Sequence, residues 1–400
     1  MARFSLSFPI IKKLNEKLLI AFYKVECMKI NFKIILVSLC FASCKQVQNL
    51  SDKFTKPSGK QVIERNFKED EIFLKNYEDV YEQAKNNNLE LALPNVIYTK
   101  SDSLEFSILS YKIFLEKGER LKIETNIETD SLQFAVDIYG ILNDTLISKR
   151  PIVSNEANLN NLNFEVFKTG YYKIVMFSES NKKVDFNIGI YTEPVFLFPV
   201  AGKGNKDIQS YWGAVRSGGK RKHEGIDIFA KRGTPVIASV DGFVATAKNS
   251  GLGGKQIWLK SGLFGKTLYY AHLDSIKTRS GTYVKLGDTL GFVGNTGNAK
   301  GASPHLHFGI YNSSGAINPL AFVKKSDLPN SKEEKVFKNG ITKLAKNELR
   351  IGSGVKYKKI ETFTENTPIT ILGKIDNWFH VQYADHIEGF MHESLVVENI

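Results

Sequence analysis

Cysteine is scarce in this 400-residue sequence: only Cys27, Cys40 and Cys44 carry a thiol, and nothing after residue 44 does. A disulfide framework and a Cys-ligated zinc site are therefore excluded beyond that point, and any metal there must rely on His, Asp or Glu. The string His-Glu-x-x-His is missing as well, which removes the helical zinc motif. Long hydrophobic runs are also lacking; the apolar segment from Ile34 to Ala42 is too short to span a bilayer. Acidic residues are outnumbered, giving a formal charge of +12 and favouring acidic surroundings such as a cell wall or anionic lipid. No recognition-helix pattern or RNA-binding aromatic motif accompanies that charge, so nucleic acid is not an expected partner. What remains is ordinary globular composition, with enough apolar residues for packed cores and length for about two to three domains.

The cysteines sit in a segment that reads as an address. "MKINFKIILVSLCFASC" starts at Met28 with Lys29 and Lys33, continues through the apolar run, and ends in small residues before Cys44. A basic n-region followed by a short h-region marks an export signal. It resembles a bacterial lipoprotein signal, with Phe41 where leucine is usual. That resemblance implies a lipid on Cys44 and an exported protein tethered at the cell envelope, on the periplasmic side or the outer membrane. Residues 1–27 would then precede the true start.

Periodicity divides the rest into a mainly β chain. Residues 45–95 read as a polar tether and one short amphipathic helix, with Ile72, Phe73, Tyr77, Val80 and Tyr81 spaced for a single face. Residues 96–193 alternate apolar and polar side chains in runs such as "LKIETNIET", "LQFAVDIYG" and "KVDFNIGIYTE". These read as half-buried strands of an antiparallel β-sandwich acting as spacer or scaffold. Residues 194–325 are glycine-rich with many short β-like runs, and residues 326–336 form a charged linker. Residues 337–400 read as a small β-barrel.

The chemistry-bearing residues gather in the glycine-rich stretch. "HEGIDIFA" places His223 four residues before Asp227. On a helix the two would share a face, but Gly225 and the β-prone "IDIFA" favour a loop feeding a strand, with Asp227 turned inward at its start. "SPHLHFGIY" places His305 and His307 at i and i+2, on one face of a strand, with Leu306 and Phe308 toward the core. "LYYAHLDS" adds His272 after an apolar run. Taken singly, each of these histidines is as compatible with packing as with chemistry.

Taken together, "HEGIDI", "YYAHL", "VKLGDTLGFVGNTG" and "SPHLHFGIY…AINP" resemble, in order, the motifs of the lysostaphin-type (M23 or LytM) zinc metallopeptidases. The likeness spans roughly residues 196–322. It implies an antiparallel β peptidase core with one zinc ion on His223, Asp227 and His307. It further implies that His272 and His305 are catalytic, orienting water, taking its proton and stabilising the oxyanion. Two imidazoles and a carboxylate suit zinc rather than calcium or magnesium, and leave a fourth position open. "SYWGAVR" resembles the family's Phe-Gly-x-Arg turn, with Trp212 and Gly213 in variant form, a departure expected to matter little to the metal.

Residues 337–400 resemble a bacterial SH3-like domain, through "LRIGSG", "TPITIL", "NWFHVQY" and "EGFMHESLV". The usual Arg-x-Gly-Pro opening is altered, and His380, His386 and His392 are expected to be structural. The resemblances together imply a zinc-dependent endopeptidase cutting peptide cross-links of bacterial peptidoglycan, of the D,D type, with peptide stems as substrate. A non-catalytic relative that regulates another enzyme would have lost one or more of the five site residues, and all five are present.

Overall fold

In the computed structural model the described residues are 55–399, apart from 102–106, 127–132, 143–146, 157–158, 181–182, 263–264, 331–333, 335 and 385–386. Contacts divide the chain at Pro57, and the fold described below belongs to the unit Ser58–Ile400. The export segment and Cys44 lie outside the described residues. The mainly antiparallel β architecture read from the alternation is what forms.

Two helices precede the strands. In α1 (Gly59–Asn66), Ser58 and Gln61 cap each other reciprocally, side chain to backbone. In α2 (Glu71–Asn86), Asp70 accepts from the Phe73 N–H at 2.9 Å. The buried stripe of α2 is Tyr77, Tyr81 and Ala84; Ile72, expected on that face, is 86% exposed. It lies in the first turn, ahead of the part of the helix that meets the sheet. Helix α1 is not announced by periodicity, because Ile63 is its one fully buried apolar side chain.

Eight strands follow: β1 (Asn95–Ser101), β2 (Ser107–Leu115), β3 (Glu119–Thr125), β4 (Gln133–Gly140), β5 (Val153–Ser154), β6 (Asn161–Glu165), β7 (Gly170–Glu179) and β8 (Val184–Pro194). They make two antiparallel layers, ordered β1-β8-β3-β6 and β2-β7-β4-β5. Ile97, Ile123, Ile138, Ile174 and Ile188 fill the core between them. Strands β4 and β7 are not half-buried as expected but buried on both faces. The reason is that Ala135, Tyr139, Val175 and Phe177 on their outer side pack beneath the two helices.

The glycine-rich region supplies β9 (Ile208–Ser210), β10 (Val215–Arg216), β11 (Arg221–Lys222), β12 (Ile226–Phe229), β13 (Pro235–Ile237), β14 (Gly242–Ser250), β15 (Gly254–Lys260), β16 (Thr267–Ile276), β17 (Tyr283–Val284), β18 (Thr289–Val293), β19 (His305–Asn312) and β20 (Gly315–Ile317). The main path is β17-β14-β15-β16-β19-β12-β9, while β10 and β11 form a separate two-stranded ribbon. Ile226, Ile228, Leu306 and Phe308 are fully buried in its core. Side chains alternate along a strand, so Asp227, His305 and His307 project from the opposite face.

The last strands are β21 (Asn339–Thr342), β22 (Asn347–Arg350), β23 (Lys359–Phe363), β24 (Pro368–Ile375), β25 (Trp378–Tyr383), β26 (Ile387–His392) and β27 (Val396–Glu398). Strand β24 pairs with β1 through Tyr98 and Lys374, so this module and one sandwich layer form a single sheet. Ile375 and Phe390 enter the sandwich core, and Val96 and Tyr98 enter the C-terminal one. His380 is fully buried and hydrogen-bonded through Nδ1 to the Tyr111 hydroxyl at 2.9 Å. His392 caps a short turn by accepting from Ser394 N–H, and His386 lies outside the described residues.

Candidate metal centre

Cross-strand register brings the site together. Strand β19 lies between β12 and β16, with Asp227 directly opposite His307 on one side and Ala271 opposite it on the other. Directly opposed residues share a face, so the carboxylate and the imidazole meet without any loop having to deliver them. His223 comes from the turn before β12, which is pinned by mutual backbone hydrogen bonds with Gly213 and Ala214. Gly225 follows. A Cβ there would lie 2.6 Å from His307 Cε1 and from the Phe308 carbonyl, so the turn passes the ring only because the side chain is missing.

Three donor atoms converge. His223 Nε2 is 3.0 Å from Asp227 Oδ1 and 2.9 Å from His307 Nδ1, and His307 Nδ1 is 3.0 Å from the same carboxylate oxygen. Among the described residues this is the one group of three or more His, Cys, Asp or Glu with metal-ligand spacing. His223 Nδ1 lies 2.9 Å from the Tyr211 carbonyl, which only accepts, so in the neutral ring Nε2 carries the lone pair. In that form the lone pair faces a carboxylate oxygen at hydrogen-bond distance. Protonation of the ring or a bound cation resolves the conflict, and two nitrogens with one oxygen is a zinc donor set rather than a calcium one.

The electrostatics point the same way. Burial is the largest influence on Asp227 and would raise its pKa, but hydrogen bonds and charge from His223 and His307 override it and hold the carboxyl well below the usual range. Burial also lowers the pKa of His307, which favours the neutral ring a metal needs over the protonated one that depresses the Asp227 carboxyl. The other carboxylate oxygen, Oδ2, accepts from Arg216 Nη2 at 2.8 Å, and the same nitrogen donates to Ser210 Oγ at 2.5 Å. Asp227 thus offers one oxygen inward and spends the other on a guanidinium.

His272 and His305 stand beside this triangle, ring centroids 5.1 Å apart, with His272 5.8 Å from His307. Each gives its Nδ1–H to a carbonyl, His272 to Thr296 at 2.9 Å and His305 to Ser303 at 2.8 Å, so Nε2 is the basic nitrogen in both. His305 also stacks on Phe229. His272 occupies an extra position where the β15–β16 ladder shifts between Lys255 and Ile257, and its φ is +64°. A left-handed non-glycine residue stores about 1–3 kcal/mol of strain, a cost met elsewhere in the fold and often found at functional sites. Burial, then the charges of His307 and His305, push its pKa down to about 4. All five side chains line one groove of about 720 Å³, with Tyr269 and Tyr311 on its wall.

The structure therefore brings together His223, Asp227, His272, His305 and His307, the five residues expected at the site. What the sequence reading missed is the contribution of "SYWGAVR": this segment provides the Tyr211 carbonyl on His223 and Arg216 on Asp227, so it bears directly on the centre. The signal was an arginine closing a motif already noted.

Comparison with known proteins follows the same stretch. Residues 221–319 match the model of Peptidase family M23. The L-Ala–D-Glu endopeptidase of Bacillus subtilis is 34% identical over 126 residues, 30% of this chain and 38% of that protein. The DD-carboxypeptidase/endopeptidase Mpg of Neisseria meningitidis is 38% identical over 101 residues, 25% of this chain and 23% of that protein. Among solved structures, the lysostaphin catalytic domain of Staphylococcus simulans is 36% identical, covering 28% of this chain and 89% of that one, at a TM-score of 0.26. The chain spans 61%, 21% and 38% of the length of the first three curated relatives it matches.

Proposed function

We propose that the chain is a zinc-dependent endopeptidase that hydrolyses peptide cross-links of bacterial peptidoglycan, at the D,D bond. The observation that carries this reading is the triangle of His223 Nε2, Asp227 Oδ1 and His307 Nδ1, within 3.0 Å of one another, beside two further imidazoles. His223, Asp227 and His307 would hold the ion, and zinc there would supply Lewis acidity toward the scissile carbonyl and toward the attacking water. His305 and His272 handle protons at Nε2: one accepts a proton from the attacking water, and either protonates the departing amine or donates to the developing oxyanion. The Thr296 and Ser303 carbonyls fix both rings in the tautomer this requires. A lipid on Cys44 tethers the enzyme at the envelope, and the C-terminal module, read as SH3-like, helps to position it there.

Purified protein incubated with peptidoglycan should release new amino termini with zinc present and none after chelation. The relatives carry names for different bonds, L-Ala–D-Glu in one and DD in the other. Mass spectrometry of the released muropeptides distinguishes them: D,D cleavage frees the D-alanyl end of a cross-link. Amino termini after L-Ala would correct the bond, and none at all would remove the reaction.

A further inference from the structure

The segment between β18 and β19, "GNTGNAKGASP", carries both carbonyls that hold the imidazoles beside the metal triangle: Thr296 for His272 and Ser303 for His305. Its ends are bridged, the His305 N–H donating to the Gly294 carbonyl at 3.0 Å. Arg232 ties it outward, reaching Asp274 Oδ1 and Asn295 Oδ1 at 2.5 Å each. Those contacts are exposed, where water and salt weaken an ion pair. A better shielded tie lies beneath them, in the side chain of Thr296.

Strand β16 has one residue more than β15 across their ladder shift. Lys255 lies opposite Leu273 and Ile257 opposite Tyr270, so Gln256 faces both Ala271 and His272. Thr296 Oγ1 sits at this bulge. It accepts from the Lys255 N–H at 3.0 Å and donates to the Leu273 carbonyl at 2.8 Å, a pair of roles that a side-chain hydroxyl fills with one atom. The same residue's carbonyl accepts from His272 Nδ1 at 2.9 Å, and its N–H donates to the His272 carbonyl at 3.4 Å. Thr296 therefore grips His272 by ring and backbone, while its own side chain is anchored to the next residue, Leu273, which is fully buried. Gly254 permits the approach: its φ is +60°, and a Cβ there would lie 2.5 Å from the hydroxyl oxygen. A left-handed residue such as His272 persists only where its surroundings over-determine it, and Thr296 supplies much of that restraint.

We infer that Thr296 is a positioning residue for His272, its hydroxyl holding in place both the strained backbone and the carbonyl that leaves Nε2 basic. This rests on the reading of His272 as a proton-transfer group in a peptide-cleaving groove. Thr296 is not among the residues lining that groove, so it acts on the reaction through His272.

Two substitutions separate the hydroxyl from the rest of the side chain. Thr296→Val keeps the shape and removes the hydroxyl; Thr296→Ser keeps the hydroxyl and removes the methyl. In zinc-loaded protein at about pH 8, above the usual histidine range, imidazole nitrogen NMR shifts distinguish an Nδ1–H ring from an Nε2–H ring. The spectrum of His272→Gln assigns the signal. Unaltered protein should show His272 protonated at Nδ1, and Thr296→Val should show the other tautomer or a mixture. Zinc affinity in chelator competition should not change. In the same variant kcat should fall about 10- to 100-fold with KM little altered, the size expected when a reacting group is misplaced. Thr296→Ser should restore both the ring signal and the rate. If Thr296→Val does not fold, Thr296→Ala removes the same hydroxyl with less bulk and is read identically. An unchanged His272 ring in a folded variant without the hydroxyl, or a rate loss that Thr296→Ser shares, overturns the inference. Failure of unaltered protein to hydrolyse peptidoglycan counts against the proposed reaction instead, because the ring signal and the zinc affinity are read without turnover.

Discussion

At the scale of single residues, the proposed chemistry gives different duties to two histidines that are neighbours but one. His307 Nδ1 lies within 3.0 Å of both other donors, whereas His305 has its Nδ1 committed to the Ser303 carbonyl and its ring stacked on Phe229. Replacing His307 or Asp227 with alanine should therefore remove bound zinc and activity together, as read by metal analysis and peptide release. His305→Ala should retain zinc while losing about 10²- to 10⁴-fold in turnover, the usual range for a proton-transfer group. Loss of the metal in that variant would reverse the assignment. Arg216 tests the support behind the ligands. Arg216→Met leaves Asp227 free to rotate and should weaken zinc affinity about 10- to 100-fold in chelator competition, as loss of an outer partner typically does. An unchanged affinity would make that ion pair structural only.

At the scale of elements, the centre is a consequence of β pairing. Alternation in "HLHF" put His305 and His307 on one face, and the β12–β19 register then set Asp227 across from His307. The first half of that was legible in the sequence, because a period of two is local. The second was not, since register depends on partners some eighty residues away. His272 shows the same limit: "YYAHL" reads as plain strand, and neither the bulge nor the positive φ leaves a mark in composition. Gly225 is where an element-level prediction can be made. Gly225→Ala places a Cβ 2.6 Å from the His307 ring and the Phe308 carbonyl, so the turn must move off β19 and carry His223 with it. Zinc affinity should fall by at least about 10-fold, roughly the 1–3 kcal/mol cost of overpacking a tight site. Thermal stability measured without metal should fall as well. Undiminished zinc binding would show that the turn tolerates the shift.

At the scale of the whole molecule, the sandwich and the C-terminal module are joined by more than the β1–β24 pairing, and their joint contains a buried cation. Sequence reading separated these parts because alternation reports strands and not which strands pair. Lys173 on β7 is 1% exposed and donates to the Asn87 carbonyl and side-chain oxygens, each at 2.7 Å. Asn87 in turn donates through Nδ2 to Glu388 on β26 at 3.3 Å. Burial, opposed by Glu388 and reinforced by Lys112, pushes the Lys173 pKa from 10.5 down to about 7. Between those two values the unfolded chain holds a proton that the folded chain has released. Stability must therefore rise as pH climbs from about 7 toward 10.5, and the contribution is absent below about 7, where both states are protonated. Chemical denaturation at about pH 6 and about pH 9 should show the higher midpoint at the higher pH. Lys173→Met, which keeps the length of the side chain and removes its proton, should flatten the difference. If the slope persists in that variant, the pH dependence arises elsewhere and Lys173 is accommodated as a cation through Asn87 and Glu388.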